Sequence, residues 1–213
     1  MTQSPGDTPA IRVLVEAIAL GDIDGALRLL DATPELARGQ LDDGATRAGA
    51  SANFFPSIEC HLYEGDTPVH VAAAAWRADL LARLLADGAE VGGRNRRGAT
   101  PLHYAATGNP DSARWNPLAQ SQAIAVLLAA GADPNATDKN GATPLHRAIR
   151  TRCAAATKAL LKGGADPDIP TRNGSTPLKL AGITTGRGGS GSPAVREQQT
   201  EILALLQGLP GPG

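Results

Sequence analysis

The run Thr-Pro-x-His recurs along the chain at fixed distances, and this recurrence limits the fold more than any other feature. It reads TPVH from Thr67, TPLH from Thr100, TPLH from Thr143 and, with lysine in place of histidine, TPLK from Thr176, at intervals of 33, 43 and 33 residues. A catalytic residue occurs once, whereas a building block recurs, so these histidines are expected to be structural. Each copy follows a turn signal (EGD, RGA, NGA, NGS), and the first three lead to a Leu-Leu pair and a Gly-Ala turn in LLADGAE, LLAAGADPN and LLKGGADPD. Threonine is a good N-cap and proline is favoured in the first helical turn, so Thr-Pro starts a helix, and Gly-Ala after the leucines ends a second one. Each unit then reads as helix, short turn, helix and β-turn finger.

The patterns xGxTPLHxAA and LLxxGADxN at a 33-residue period resemble the ankyrin repeats over about residues 65 to 180. The resemblance implies an all-α solenoid of stacked helix-turn-helix units with β-turn fingers. Residues 10–37 lack the motif but carry two helical patterns about Gly21 and Asp22, with Asp22 or Asp24 as cap, and read as an N-terminal capping repeat. Full repeats are expected at 65–97, 98–140 and 141–173, and a C-terminal capping repeat at 174–208, its last helix started by Ser192 and Pro193. Residues 1–9 and 209–213 are expected to be disordered tails. Three departures from the pattern mark where function can be added, because insertions in solenoids map to loops on one face. Residues 38–64 are far longer than a finger, with a small, polar first half expected to be mobile and FFPSIECHLY suited to a hairpin. The second departure lies near 108–118 and holds Trp115; the third is the glycine-rich stretch 182–192. Both fall between the two helices of their units, so they should share an edge of the solenoid and could meet.

Composition narrows the chemistry. Aromatics are only 3% of a chain that is 42% hydrophobic, so the core must be aliphatic, which suits closely packed helices. Cys60 and Cys153 form no CxxC pair, and a reducing compartment, the cytoplasm, is expected. The N-terminus has no basic region and its apolar stretch is broken by Glu16, so neither a signal peptide nor a spanning helix is expected there. Among the histidines His61, His70, His103 and His146, the three in the motif would stack about 10 Å apart, too far to share a metal with bonds of about 2 Å. Cys60 beside His61 is no nucleophile and base pair if both lie on a strand, because neighbours there face opposite ways. No metal, cofactor or catalytic set is expected. GRGGSG, Gly186 to Gly191, matches GxGxxG but follows a helix rather than a strand, so it is no dinucleotide site. Arg187, Gly188, Gly189, Ser190, Gly191 and Ser192 could still form an anion-holding loop at a helix N-terminus.

Charge is unevenly placed. Residues 1–93 hold 6 basic and 14 acidic side chains, residues 94–213 hold 14 basic and 7 acidic ones. The resemblance implies docking of a protein on the concave face of fingers and first helices, where the matching positions turn from Tyr63 and acidic neighbours to Arg94, Arg96, Arg97, Lys139, Arg150, Arg152 and Arg172, against only Asp138. An acidic protein segment is the expected partner, with Trp76, Tyr104 or Trp115 as apolar contact. Nucleic acid ranks low, because the pI is about 6.4 and no stacking platform interleaves the cations. The protein is expected as a monomer or a weak antiparallel dimer paired through its opposite halves. The alternative function is a regulator binding a small molecule or anion through the Trp115 and GRGGSG loops.

Overall fold

The computed structural model describes residues 9–46, 49–183 and 192–208. Among them the chain forms five successive helix pairs: α1 (Ala10–Leu20) with α2 (Ile23–Ala32), α3 (Pro68–Ala74) with α4 (Ala78–Ala86), α5 (Pro101–Ala105) with α6 (Pro117–Ala129), α7 (Pro144–Arg150) with α8 (Ala154–Lys162), and α9 (Pro177–Ala181) with α10 (Pro193–Gln207). First helices stack in sequence, α1 on α3, α3 on α5, α5 on α7 and α7 on α9, while α4, α6, α8 and α10 form the second layer. The architecture is an all-α solenoid. Its one sheet among the described residues is a hairpin of β1 (Phe54–Phe55) and β2 (Cys60–His61), antiparallel with Phe55 opposite Cys60.

The caps fall where side-chain chemistry puts them. Asp22 Oδ1 accepts from the Gly25 amide at 2.9 Å and starts α2; Ser192 Oγ accepts from the Val195 amide at 3.2 Å and starts α10. Thr67, Thr143 and Thr176 do the same for α3, α7 and α9. The core between the layers is leucine and alanine. Leu80, Leu84, Leu102, Leu127 and Leu145 are fully buried, and Ala72, Ala73, Ala105 and Ala148 let the first helices approach without intervening side chains. Because each unit covers the next, one continuous core results from pieces too short to fold alone.

The fingers are joined by a backbone ladder. The Arg96 amide donates to Glu64 O at 2.8 Å, Lys139 to Arg97 O at 2.9 Å and Arg172 to Asn140 O at 3.0 Å. Gly141 permits this approach: its φ is +79°, and a Cβ there would lie 2.8 Å from the Arg172 nitrogen.

The first half of 38–64 departs from expectation. Its described residues are tied down rather than mobile, because Leu41 and Ala45 are apolar positions in the polar stretch and both are buried. The Leu41 amide donates to Asp66 O at 2.8 Å, Leu41 O accepts from Gly65 at 2.7 Å, and Ala45 donates to Leu62 O at 2.7 Å, so the segment lies along the first finger as an added strand-like edge. Arg12 on α1 fastens its outer side through Asp43 and Asn53.

Candidate functional site

The motif histidines each span two units. His70 Nδ1 accepts from the Thr67 amide at 3.1 Å, which leaves the proton on Nε2, directed at Ala99 O of the next finger at 3.1 Å. His103 reaches Ala142 O at 2.9 Å and His146 reaches Ser175 O at 3.0 Å in the same way. Burial lowers the pKa of all three, that of His103 to about 3, so they are neutral fasteners. In the last unit Lys179 turns back instead, with Nζ 3.4 Å from Gly174 O.

The finger row carries exposed cations at one repeated position, four residues before the Thr-Pro threonine: Arg96, Lys139 and Arg172, preceded in the first finger by Tyr63. Arg97 donates to the Tyr63 hydroxyl at 2.9 Å, and the Arg96 and Arg97 guanidinium carbons lie 5.6 and 5.0 Å from the Tyr63 ring centroid. Arg94, also exposed, donates to Gly98 O at 3.0 Å and Thr137 O at 2.7 Å, and Arg96 donates through one amino group to Ala45 O of the first insertion. Arg150, the last residue of α7, is exposed. Of the carboxylates in the finger row, Glu64 is exposed, while Asp138 is occupied: its oxygens accept from the amides of Asn140 and Ala142 and from Arg147 at 3.2 Å. A depression of about 280 Å³ opens nearby beside Asp42, Glu64, Arg94 and Arg96, with both signs of charge on its wall.

Three expected surface contacts are corrected. Trp76 and Tyr104 are each only 4% exposed, so neither is available as an apolar anchor for a partner. Trp76 sits at the turn between α3 and α4 with φ +53° and donates its indole N–H to Ala105 O at 3.2 Å in the next unit. Tyr104 donates to Asp66, and Asn95 Nδ2 donates to both, at 2.8 Å to Asp66 and 2.9 Å to Tyr104, closing a buried network between two fingers and a helix. Arg152, counted with the basic face, is 7% exposed and donates to Ile183 O at 2.7 Å.

Family models agree with this geometry. Ankyrin repeats (3 copies) match residues 14–115, an ankyrin repeat matches 97–139, and ankyrin repeats (many copies) match 127–181. The chain belongs to the ankyrin repeat family. No curated protein matches it. Ankyrin repeats are in general protein–protein interaction modules and typically non-catalytic scaffolds. No helix among the described residues is long and apolar enough to cross a membrane.

Where this ankyrin chain departs from its own period, the departures converge. Ser112 Oγ of the second insertion donates to Glu59 at the tip of the β1–β2 hairpin, 2.6 Å away. Arg114 donates to Ala74 O at 2.9 Å and lies over the Trp76 ring, 4.2 Å from its centroid. On its other side the insertion reaches the third departure, Asp111 accepting from Ser192 Oγ. At Asp111 and Ser192 the second insertion touches the end of the third, a contact their shared edge allowed, while the contribution of the first was not anticipated. Arg114→Ala should lower stability by about 1–2 kcal/mol through the lost cation–π contact and hydrogen bond, read from urea unfolding. A loss below about 0.3 kcal/mol, within the ordinary range for surface substitutions, would show the strap to be incidental.

Of the expected anion loop, Arg187, Gly188, Gly189, Ser190 and Gly191 lie outside the described residues. Ser192 is described, and the anion at its helix end is the chain's own Asp111. Trp115 is half-buried, its indole N–H on Gln120 Oε1 at 3.2 Å. The Cys60 thiol, pushed up to about 12 chiefly by burial, is a poor nucleophile. Among the described residues no three His, Cys, Asp or Glu side chains are grouped to hold a metal ion.

Proposed function

We propose that this ankyrin chain is a docking module that takes an acidic segment of a protein partner on its fingertip face. The observation that carries this is the repeated cation at one finger position in three consecutive units, Arg96, Lys139 and Arg172. Arg97, held against Tyr63, Arg150 at the end of α7 and Arg94 at the finger base enlarge the positive field, and Asp138 is already neutralised by Arg147. Cations fixed on a rigid ladder favour an acidic ligand at little ordering cost, and they raise its rate of encounter. Among the described residues the face presents no run of exposed aromatics on which single-stranded nucleic acid could stack, Tyr63 lying under its two arginines.

Panning a random peptide display library on the full chain should enrich sequences rich in Asp and Glu. The same library panned on Lys139→Glu/Arg172→Glu should lose that enrichment, and elution should become easier as salt rises. Enrichment of apolar or basic sequences, indifferent to the two substitutions, would remove the fingertip face from the function.

A further inference from the structure

We infer that the partner's acidic segment binds in extended form with carboxylates at every third residue, positions i, i+3 and i+6, meeting Arg96, Lys139 and Arg172 in turn. The inference rests on the docking function above and specifies its ligand. Three features of the fingers lead to it.

The first is register. Arg96, Lys139 and Arg172 each stand four residues before their Thr-Pro threonine, so one chemical group recurs once per structural unit. The second is rigidity. The ladder from Arg96 to Glu64, from Lys139 to Arg97 and from Arg172 to Asn140 locks each finger to the one before it, so the interval between the backbone positions that carry the cations is fixed. The third is scale. One unit is one first helix thick, and packed helices lie about 8–10 Å apart. An extended chain advances about 3.3 Å per residue, and a polyproline II chain about 3.1 Å with three residues per turn, so about three residues cover one unit. In the polyproline II form every third side chain points the same way, and a single row of carboxylates can meet a single row of cations. An α-helix rises only about 1.5 Å per residue and would need six or seven residues for the same step. The row stops being cationic at Tyr63, which occupies the same position in the first finger, so the register holds three carboxylates.

Three labelled peptides of equal length and net charge test this against the full chain by fluorescence anisotropy at low salt. One carries Glu at i, i+3 and i+6 with Pro between to exclude helix, one carries the same residues with Glu at i, i+2 and i+4, and one is a helical design with Glu at i, i+7 and i+14. The first should bind at least tenfold more tightly than either other. Lys139→Glu should weaken it at least tenfold, and a peptide with its middle Glu replaced by Lys should regain affinity for that variant. Equal affinity across the three peptides, or preference for the helical one, overturns the three-residue register while leaving acidic docking intact. Absence of binding by all three overturns the register and the docking function together.

Discussion

Acidification from about pH 6.5 to about pH 4.5 is expected to lower the folding stability, with His103 alone accounting for about 2 kcal/mol. Burial lowers the pKa of His70, His103 and His146 in the folded protein, that of His103 to about 3. Unfolded imidazoles take up a proton below about pH 6.5. A depressed group contributes its stability in full above the unfolded value and loses it as pH falls toward the folded one. The window therefore opens near pH 6.5 and extends, for His103, to about 3. Asp66 works the other way, since burial raises its pKa and the folded state then binds its proton first, but one carboxylate opposes three imidazoles. Urea midpoints measured from pH 7 to pH 4.5 should fall, with proton uptake on unfolding of about one from His103 and a further contribution from His70 and His146. His103→Gln, which keeps a capping residue at the third helical position, should flatten the slope by about one proton. A stability profile level between pH 7 and pH 5 would contradict the burial and tautomer assigned to these rings.

That pH response could be anticipated from the period alone, because a histidine repeating with Thr-Pro at 33-residue intervals must do the same thing each time. The helices were legible for the same reason: Thr-Pro, Gly-Ala and the leucine pairs act locally, through caps and turn geometry. What escaped the sequence depends on which units touch. Trp76 and Tyr104 read as exposed anchors because aromatics often mark binding faces, yet each is buried by a neighbour one unit away. One signal was available. Aligned on the Thr-Pro threonine, Asp66 stands where the later fingers carry Ala99, Ala142 and Ser175, and a charge in a column of small residues needs a partner across the stack.

In the same alignment the finger cations stay exposed while other charges are drawn inward. Five residues before the threonine, Asn95 and Asp138 hold the turn amides, and four residues after it Tyr104 and Arg147 answer them from the first helix, so these side chains are occupied, Asn95 and Tyr104 also by Asp66 of the finger before. The position between finger glycine and turn residue is exposed in three fingers, at Arg96, Lys139 and Arg172, and partly exposed at Tyr63, where Arg96 reaches back to the ring and to Ala45 O. Converging insertions, at Glu59, Ser112, Asp111 and Ser192, tie units together that are not neighbours in the sequence.

Asp66→Ala should cost about 3 kcal/mol, which for a chain of this size lowers the melting temperature by roughly 6–12 °C. Asp66 is fully buried and accepts from Tyr104 Oη at 2.8 Å, Asn95 Nδ2 at 2.8 Å and the Tyr63 amide at 2.7 Å. Truncation leaves three donors unanswered in the space between the first two fingers, and an unsatisfied buried donor costs more than the net worth of the bond it made. Tyr104→Phe removes one member and leaves the carboxylate two donors, so its cost should be near 1 kcal/mol. The two substitutions share a network, and the double variant should therefore cost less than their sum by at least about 0.5 kcal/mol. Strict additivity, or an Asp66→Ala variant within about 0.5 kcal/mol of the parent, would mean that the network does not join the fingers. The outcome bears on docking as well, since the Tyr63 amide held by Asp66 sets the ring on which Arg97 rests. Asp66→Ala at a temperature where it stays folded should weaken acidic peptides less than Lys139→Glu does, because it loosens one end of the cation row and leaves the charges in place.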